Sequence, residues 1–328
     1  MADFTANYGL HQWEPTDPFL REDFNQDFST IDTALGRAER SAEANAYNVY
    51  NLMLQNYYEG KYTGYKKALL FDGFLDKSGI AEKSECLICS NGTVYLERAG
   101  QENITISYTS EYASIHYDMY FPEQTAASSG YLTGWSVRTE HLTGGNPQAF
   151  TCQIDCMVSI NGKPAFEGQI PLLCTLEGSN QTMSLPDPVE VGTGDVLSIC
   201  LNSHDSEVRL SVNSEVKICG ILHFTPASGT EGSLVSHNTA LPIRNRILAW
   251  VRHNGGTTAV TILDGDQEYP MVFTGIEETE NLQGKSCKES AFALDDVPGG
   301  AALAVRLELT LSDEENAASL YDYGVTVL

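Results

Sequence analysis

Basic side chains are scarce in this sequence. Only 19 lysines and arginines stand against 44 acidic residues, for a formal charge of −25. Recognition of nucleic acid through phosphate neutralisation is thereby excluded, and adhesion to an anionic membrane is opposed by the same repulsion. Such acidity keeps a protein soluble and non-adhesive. Long apolar runs are missing too. None approaches the ~20 residues needed to cross a bilayer, and Met1 to Leu10 lacks the basic and apolar regions of a secretory leader. The chain is expected to be made in a cytoplasm and to remain soluble, with no membrane insertion.

The motifs of catalysis are missing as well. No G-x-S-x-G, H-E-x-x-H or phosphate-cradling glycine loop occurs. Asn202-Ser203-His204-Asp205 sets three triad residue types side by side, but neighbours on a turn cannot serve one another as nucleophile, base and orienter. A glycosidase needs two carboxylates at a set distance, and 44 acidic residues make such a pair unassignable from sequence. No enzymatic activity and no cofactor are expected. The eight cysteines sit mostly in apolar, strand-like runs and read as free buried thiols. Cys86-x-x-Cys89 has no second pair to complete a metal site, and its odd spacing sends the two side chains to opposite faces of a strand. Asp264, Asp266 and Glu268 have the oxygen-rich spacing of a calcium loop without its remaining ligands. A charged hairpin tip is the simpler reading.

What the chain has in abundance is alternating, strand-like sequence. From Lys66 to Phe224 short apolar-polar runs are broken by turn residues, with Asn91-Gly92 and Asn161-Gly162 favouring two-residue hairpins. This spacing predicts an antiparallel β-sandwich of jelly-roll type. Thr225 to Pro242 turns polar and rich in Gly, Ser and Pro, which predicts a linker. Strand-like runs resume from Arg246, with hairpin turns expected at Asn254-Gly255-Gly256 and Asp264-Gly265. The fold class expected is mainly β, with an N-terminal helical, coiled-coil stem ahead of two antiparallel jelly-roll-like sandwiches. The boundaries read from sequence are an attachment segment 1–27, a stem 28–60, a sandwich 61–226, a linker 227–242 and a C-terminal β-domain 243–328.

The stem rests on a seam of Ile31, Leu35, Ala38, Ala42, Asn45, Val49, Leu52 and Asn56, which follows alternating steps of three and four. Ser29 or Asp27 is placed to cap this helix, and Gly60 with Tyr62 to Gly64 to end it. Asn at a core position fixes register and oligomer state, while the Ala layers bury little, so such a coil is marginal alone. The alternative is a single amphipathic helix lying on its own β-domain through Ala38, Ala42, Ala46, Val49, Met53 and Tyr57. Met1 to Thr16 carries Tyr8, His11 and Trp13 without a period and is expected to order only on docking.

The order Glu22-Asp23-Phe24-Asn25, Phe28, Ile31-Asp32 ahead of a helix resembles the N-terminal ends of tail fibre and appendage proteins of phages and prophages of Gram-positive bacteria. The resemblance covers roughly the first fifth of the chain. It implies a homotrimer assembled in the host cytoplasm and carried on the virion tail. Its N-terminal segment would attach to a tail or baseplate protein, through Trp13, Phe19, Phe24 and Phe28 here. Its distal β-domains would bind a host cell-surface component such as a carbohydrate. The runner-up reading is a structural tail or baseplate component, and a polysaccharide-degrading tail enzyme stands behind both. Aromatic rings stack on sugar C–H faces, and of the series Tyr108 to Trp135 the residues Tyr112, Tyr131 and Trp135 flank a small-residue loop and are the expected binders.

Overall fold

The computed structural model describes residues 3–18, 20–58, 69–141, 149–174, 179–203, 208–239, 246–281, 284–295 and 302–327, with backbone only at 55–58, 69 and 141. Phe19, the side chain of Asn56, the expected helix end at Gly60 to Gly64, and His204-Asp205 lie outside the described residues and side chains. The chain is mainly β, with one long helix near its N-terminus and several antiparallel sheets.

The helix runs Arg21–Tyr58, 38 residues, or about 57 Å at ~1.5 Å per residue. It starts earlier than expected. Glu22 and Asp23 occupy its first turn, where carboxylates offset the positive end of the helix dipole. The lead-in therefore belongs to the helix, and Asp27 serves inside it rather than as its cap. Between Glu39 and Leu54 the helix lies on a seven-stranded sheet, alongside strand Arg246–Asn254. Arg246 reaches Glu39 at 2.6 Å and Glu43 at 2.8 Å, Tyr50 stacks on Trp250 at 5.5 Å, and Arg252 meets Asn51. Twelve helical residues cover ~18 Å and six strand residues ~20 Å, so the two elements keep pace. Gly324 permits the approach, since a Cβ there would stand 2.2 Å from the Tyr50 ring.

The strands form two units, each with two sheets closed over one core. In the first, a five-stranded sheet built on Phe150–Ile160, Lys163–Cys174 and Val196–Asn202 faces a six-stranded sheet built on Gly130–His141, Val208–Ser211 and Gly220–Pro226. Val158, Leu172 and Leu201 from one sheet meet Leu132, Met183 and Leu210 from the other. In the second unit the seven-stranded sheet carries Ala249, Phe292 and Val325 against Val260, Leu307 and Leu234 of a five-stranded partner.

The pairings redraw three boundaries. Ile80–Lys83, Leu87–Ser90 and Thr93–Glu97 join the sheets of the second unit, so the first unit begins near Ile104 and is an insertion into the second. The expected linker holds strand Glu231–Ser236, paired with Ala304–Thr310 and Ile80–Lys83. Its glycines serve close packing: a Cβ on Gly232 would come within 2.8 Å of buried Leu87. Asn91-Gly92 and Asn161-Gly162 close hairpins with both asparagines at positive φ (49° and 51°), and Asp264-Gly265 closes another. Asn254-Gly255-Gly256 does not, because the strands it joins lie in different sheets.

Candidate functional site

Three surfaces carry the residues singled out from sequence. The first is the N-terminal end. Asp3–Phe4 pairs with His11–Gln12, and this small hairpin folds back onto the helix instead of awaiting a partner. The His11 amide donates to Asp27 at 3.0 Å, and the His11 ring contacts the same carboxylate through Nδ1 at 2.9 Å. A run of rings continues the contact: Phe4 to His11 at 4.8 Å, His11 to Trp13 at 5.5 Å, Trp13 to Phe24 at 6.3 Å, and Phe24 to Phe28 edge-on at 4.5 Å. The run brings Trp13, Phe24 and Phe28 together at one end of the helix, and Phe28 remains 55% exposed.

The second surface is the helical seam. Leu35 is 65% exposed, Leu52 58% and Val49 49%, and Ile31, Ala38, Ala42 and Asn45 are exposed with them. The face that docks on the sheet is a different one, made by Ala46, Tyr47, Tyr50, Met53 and Leu54. At 100° per residue the two faces are roughly a third of a turn apart. Beneath the docked face lies a polar ladder. Arg252 stands between Glu289 and Asp322 on neighbouring strands; its Nε donates to Glu289 at 2.9 Å, and Tyr50 donates its hydroxyl to Asp322 at 2.7 Å. Burial pushes the Asp322 carboxyl up to about 6 against the pull of Arg252. Burial also works against the Arg252 charge, but Tyr50, Asp322 and Glu289 outweigh it and raise its pKa.

The third surface is the junction of the two units, which is built from carboxylates. Glu190 accepts the Cys89 amide at 2.6 Å and pairs with Lys77 at 2.9 Å and Lys83 at 3.5 Å. Asp195 takes the Ser90 hydroxyl at 2.6 Å, the Asn161 amide at 2.6 Å and the Gly192 amide at 2.7 Å. Glu97 accepts from Ser129 at 2.9 Å and from Thr193. Burial disfavours the Lys83 ammonium, yet Glu190 and Tyr131 prevail and raise its pKa. Burial, reinforced by Glu190, pushes the Cys89 thiol up to about 12. Beside these ties runs a cleft of about 450 Å³, with Asp76, Lys77 and Asn91 from the second unit facing Lys163, Phe166 and Asp187 from the first.

The expected aromatic binders do not form one site. Trp135 is fully buried in the first core, its indole donating to Met183 Sδ at 3.3 Å, because its strand alternation points it inward. Tyr131 is half-buried at the junction, where its hydroxyl donates to the Glu85 carbonyl at 3.0 Å. Tyr112 is half-buried on strand Tyr112–Ser114, which is separated from Tyr131's strand by Val208–Ser211. The small-residue loop of that stretch is closed: Gln101 accepts the amides of Ala127 and Ser128 at 3.1 and 3.2 Å. The exposed ring of that series is Tyr117, at 75%. Sequence reasoning also missed Asp187 and Pro188, since two prolines at 186 and 188 argue against a strand. They sit in Asn180–Val191 where its register with Gly130–His141 shifts between Leu132 and Gly134, and the outward step lines the cleft. Glu268 of the weak calcium candidate is held by Arg306 through two bonds at 2.8 and 2.7 Å. Among the described residues no group of three His, Cys, Asp or Glu side chains is placed to hold a metal ion.

No protein family matches the chain and no curated protein matches it. Among solved structures it is similar to the subviral particle of infectious bursal disease virus VP2, at 8% identity over 76% of this chain and 42% of that one, with a TM-score of 0.15. The structure of the Gt strain of the same virus gives 8% identity over 71% of this chain and 40% of that one, again at 0.15. The chain thus spans about two fifths of the length of the structures it matches.

Proposed function

We propose that this protein is a phage tail appendage that works as a homotrimer. Its N-terminal aromatic end attaches to a tail or baseplate protein, its helices form a three-stranded coil, and its jelly-roll-like sandwiches bind a carbohydrate of the host surface. The observation that carries the reading is the bare seam. Seven residues at heptad spacing, from Ile31 to Leu52, remain exposed although the same helix has already docked a different face on its own sheet. An exposed stripe that is apolar but for Asn45, on a chain this acidic, is a surface that needs a cover. Identical seams from two further copies fit it in register, with Asn45 opposite Asn45. Because the seam and the docked face are roughly a third of a turn apart, both contacts coexist. Each seam leucine buried this way contributes about 1.5–3 kcal/mol.

Sedimentation equilibrium of the full chain tests the reading. A trimer mass for the wild type and a monomer mass for Leu35→Asp/Leu52→Asp is the expected pair. Both leucines are exposed in the single chain, so the variant keeps its fold. A monomeric wild type at micromolar concentration removes the trimer and, with it, the appendage reading.

A further inference from the structure

The cleft between the two units takes no part in the stem or the attachment end. Its volume of about 450 Å³ falls in the range of small-molecule sites, which favour junctions of this kind. Two hairpin tips line it, at Asn91 and Asn161 with φ of 49° and 51°, and Asn161 is bonded to Asp195. Within it, Glu190 is taken up by Lys77 and the Cys89 amide, and Asp76 by Ser78. The side chains of Asn91, Lys163 and Asp187 are exposed and make no hydrogen bond or ion pair among the described residues.

Those three groups are an amide, an ammonium and a carboxylate, set beside the apolar surfaces of Leu75, Phe166 and Pro188. Asp76 and Asp187 repel a strong anion, and Lys77 and Lys163 repel a strong cation. The ligand that suits such a set is neutral, both donates and accepts hydrogen bonds, and carries an apolar face. A pyranose ring meets all three conditions, since its hydroxyls work both ways and its C–H face rests on aliphatic or aromatic carbon.

We propose that this cleft binds a neutral saccharide of roughly two hexose units. The proposal rests on the host-surface reading above and assigns it a site and a ligand class. The test is binding of the full chain to an array of neutral di- and trisaccharides, built from hexoses, deoxyhexoses and N-acetylhexosamines, with poly(glycerol phosphate) as the anionic probe. The wild type is compared with Asp187→Ala, Lys163→Ala and Ala165→Trp, the last filling the cleft without removing a polar group. Positions 163, 165 and 187 are exposed, so melting temperatures stay unchanged. At least a tenfold loss of affinity for a neutral saccharide in each variant is the expected result. Wild-type binding that all three variants retain overturns the cleft and leaves carbohydrate recognition to another surface. Binding confined to poly(glycerol phosphate) overturns the ligand class. Absence of binding to every probe overturns both the cleft and the carbohydrate part of the function.

Discussion

Asp322 sits in an environment that its sequence neighbours do not suggest. In Tyr321-Asp-Tyr-Gly it alternates like a solvent-facing strand position, yet it is fully buried because the helix lies over it. Its carboxyl titrates at about 6 when folded, above the ~3.9 of an unfolded aspartate. Between those values the folded state holds more protons than the unfolded one, so Asp322 lowers stability as pH rises from 4 to 6. Relative to Asp322→Asn, the wild type should therefore gain on the order of 2 kcal/mol on going from pH 7 to pH 4. Paired denaturant titrations at the two pH values read this directly, and a constant difference would refute it. The candidate site was partly legible at this scale. Asn91, Asn161 and their glycines announce their turns by chemistry alone. Trp135 does not announce its direction, since a one-residue change of strand register exchanges inward for outward.

The helix shows what one element carries in its own pattern and what it does not. Its length and seam follow from alanine-rich, heptad-spaced sequence. The docked face, with Tyr47, Tyr50 and Leu54, is less regular and becomes meaningful only against Trp250 and Gly324. Gly324→Ala should lift the Tyr50 ring from the sheet, costing about 1–3 kcal/mol as an overpacked contact. The measurement is the chemical-denaturation midpoint together with Trp fluorescence, which reports Trp250 losing its stacked partner; an unchanged spectrum and midpoint would show that the helix does not dock there. Strand Glu231–Ser236 makes the converse point. Glycine there reads as a linker, while the fold uses it to seat Leu87.

At the scale of the molecule, the first unit is inserted into the second and tied to it by Glu97, Glu190 and Asp195. Glu190 answers both Lys77 and Lys83, and Lys83 is largely shielded at the junction. Glu190→Ala removes the partner of a partly buried ammonium and should cost about 3 kcal/mol. Since the loss falls on the junction and on neither core, calorimetry should resolve two unfolding transitions in the variant where the wild type gives one. A single transition in both would mean that the chain connections alone couple the units.

The sequence by itself determined the β-rich class, the long helix with its seam and the hairpin tips at Asn91, Asn161 and Asp264, because each rests on local periodicity or on the conformational preference of one or two residues. Only the tertiary structure decided that Ile80–Lys83 and Thr93–Glu97 pair with strands more than a hundred residues away, that one helix face is spent on the chain's own sheet, and that Asp187 and Asn91 share a cleft. Those outcomes depend on which distant surfaces meet. Alternation along a strand states only that one face is covered, and it is silent on what covers it.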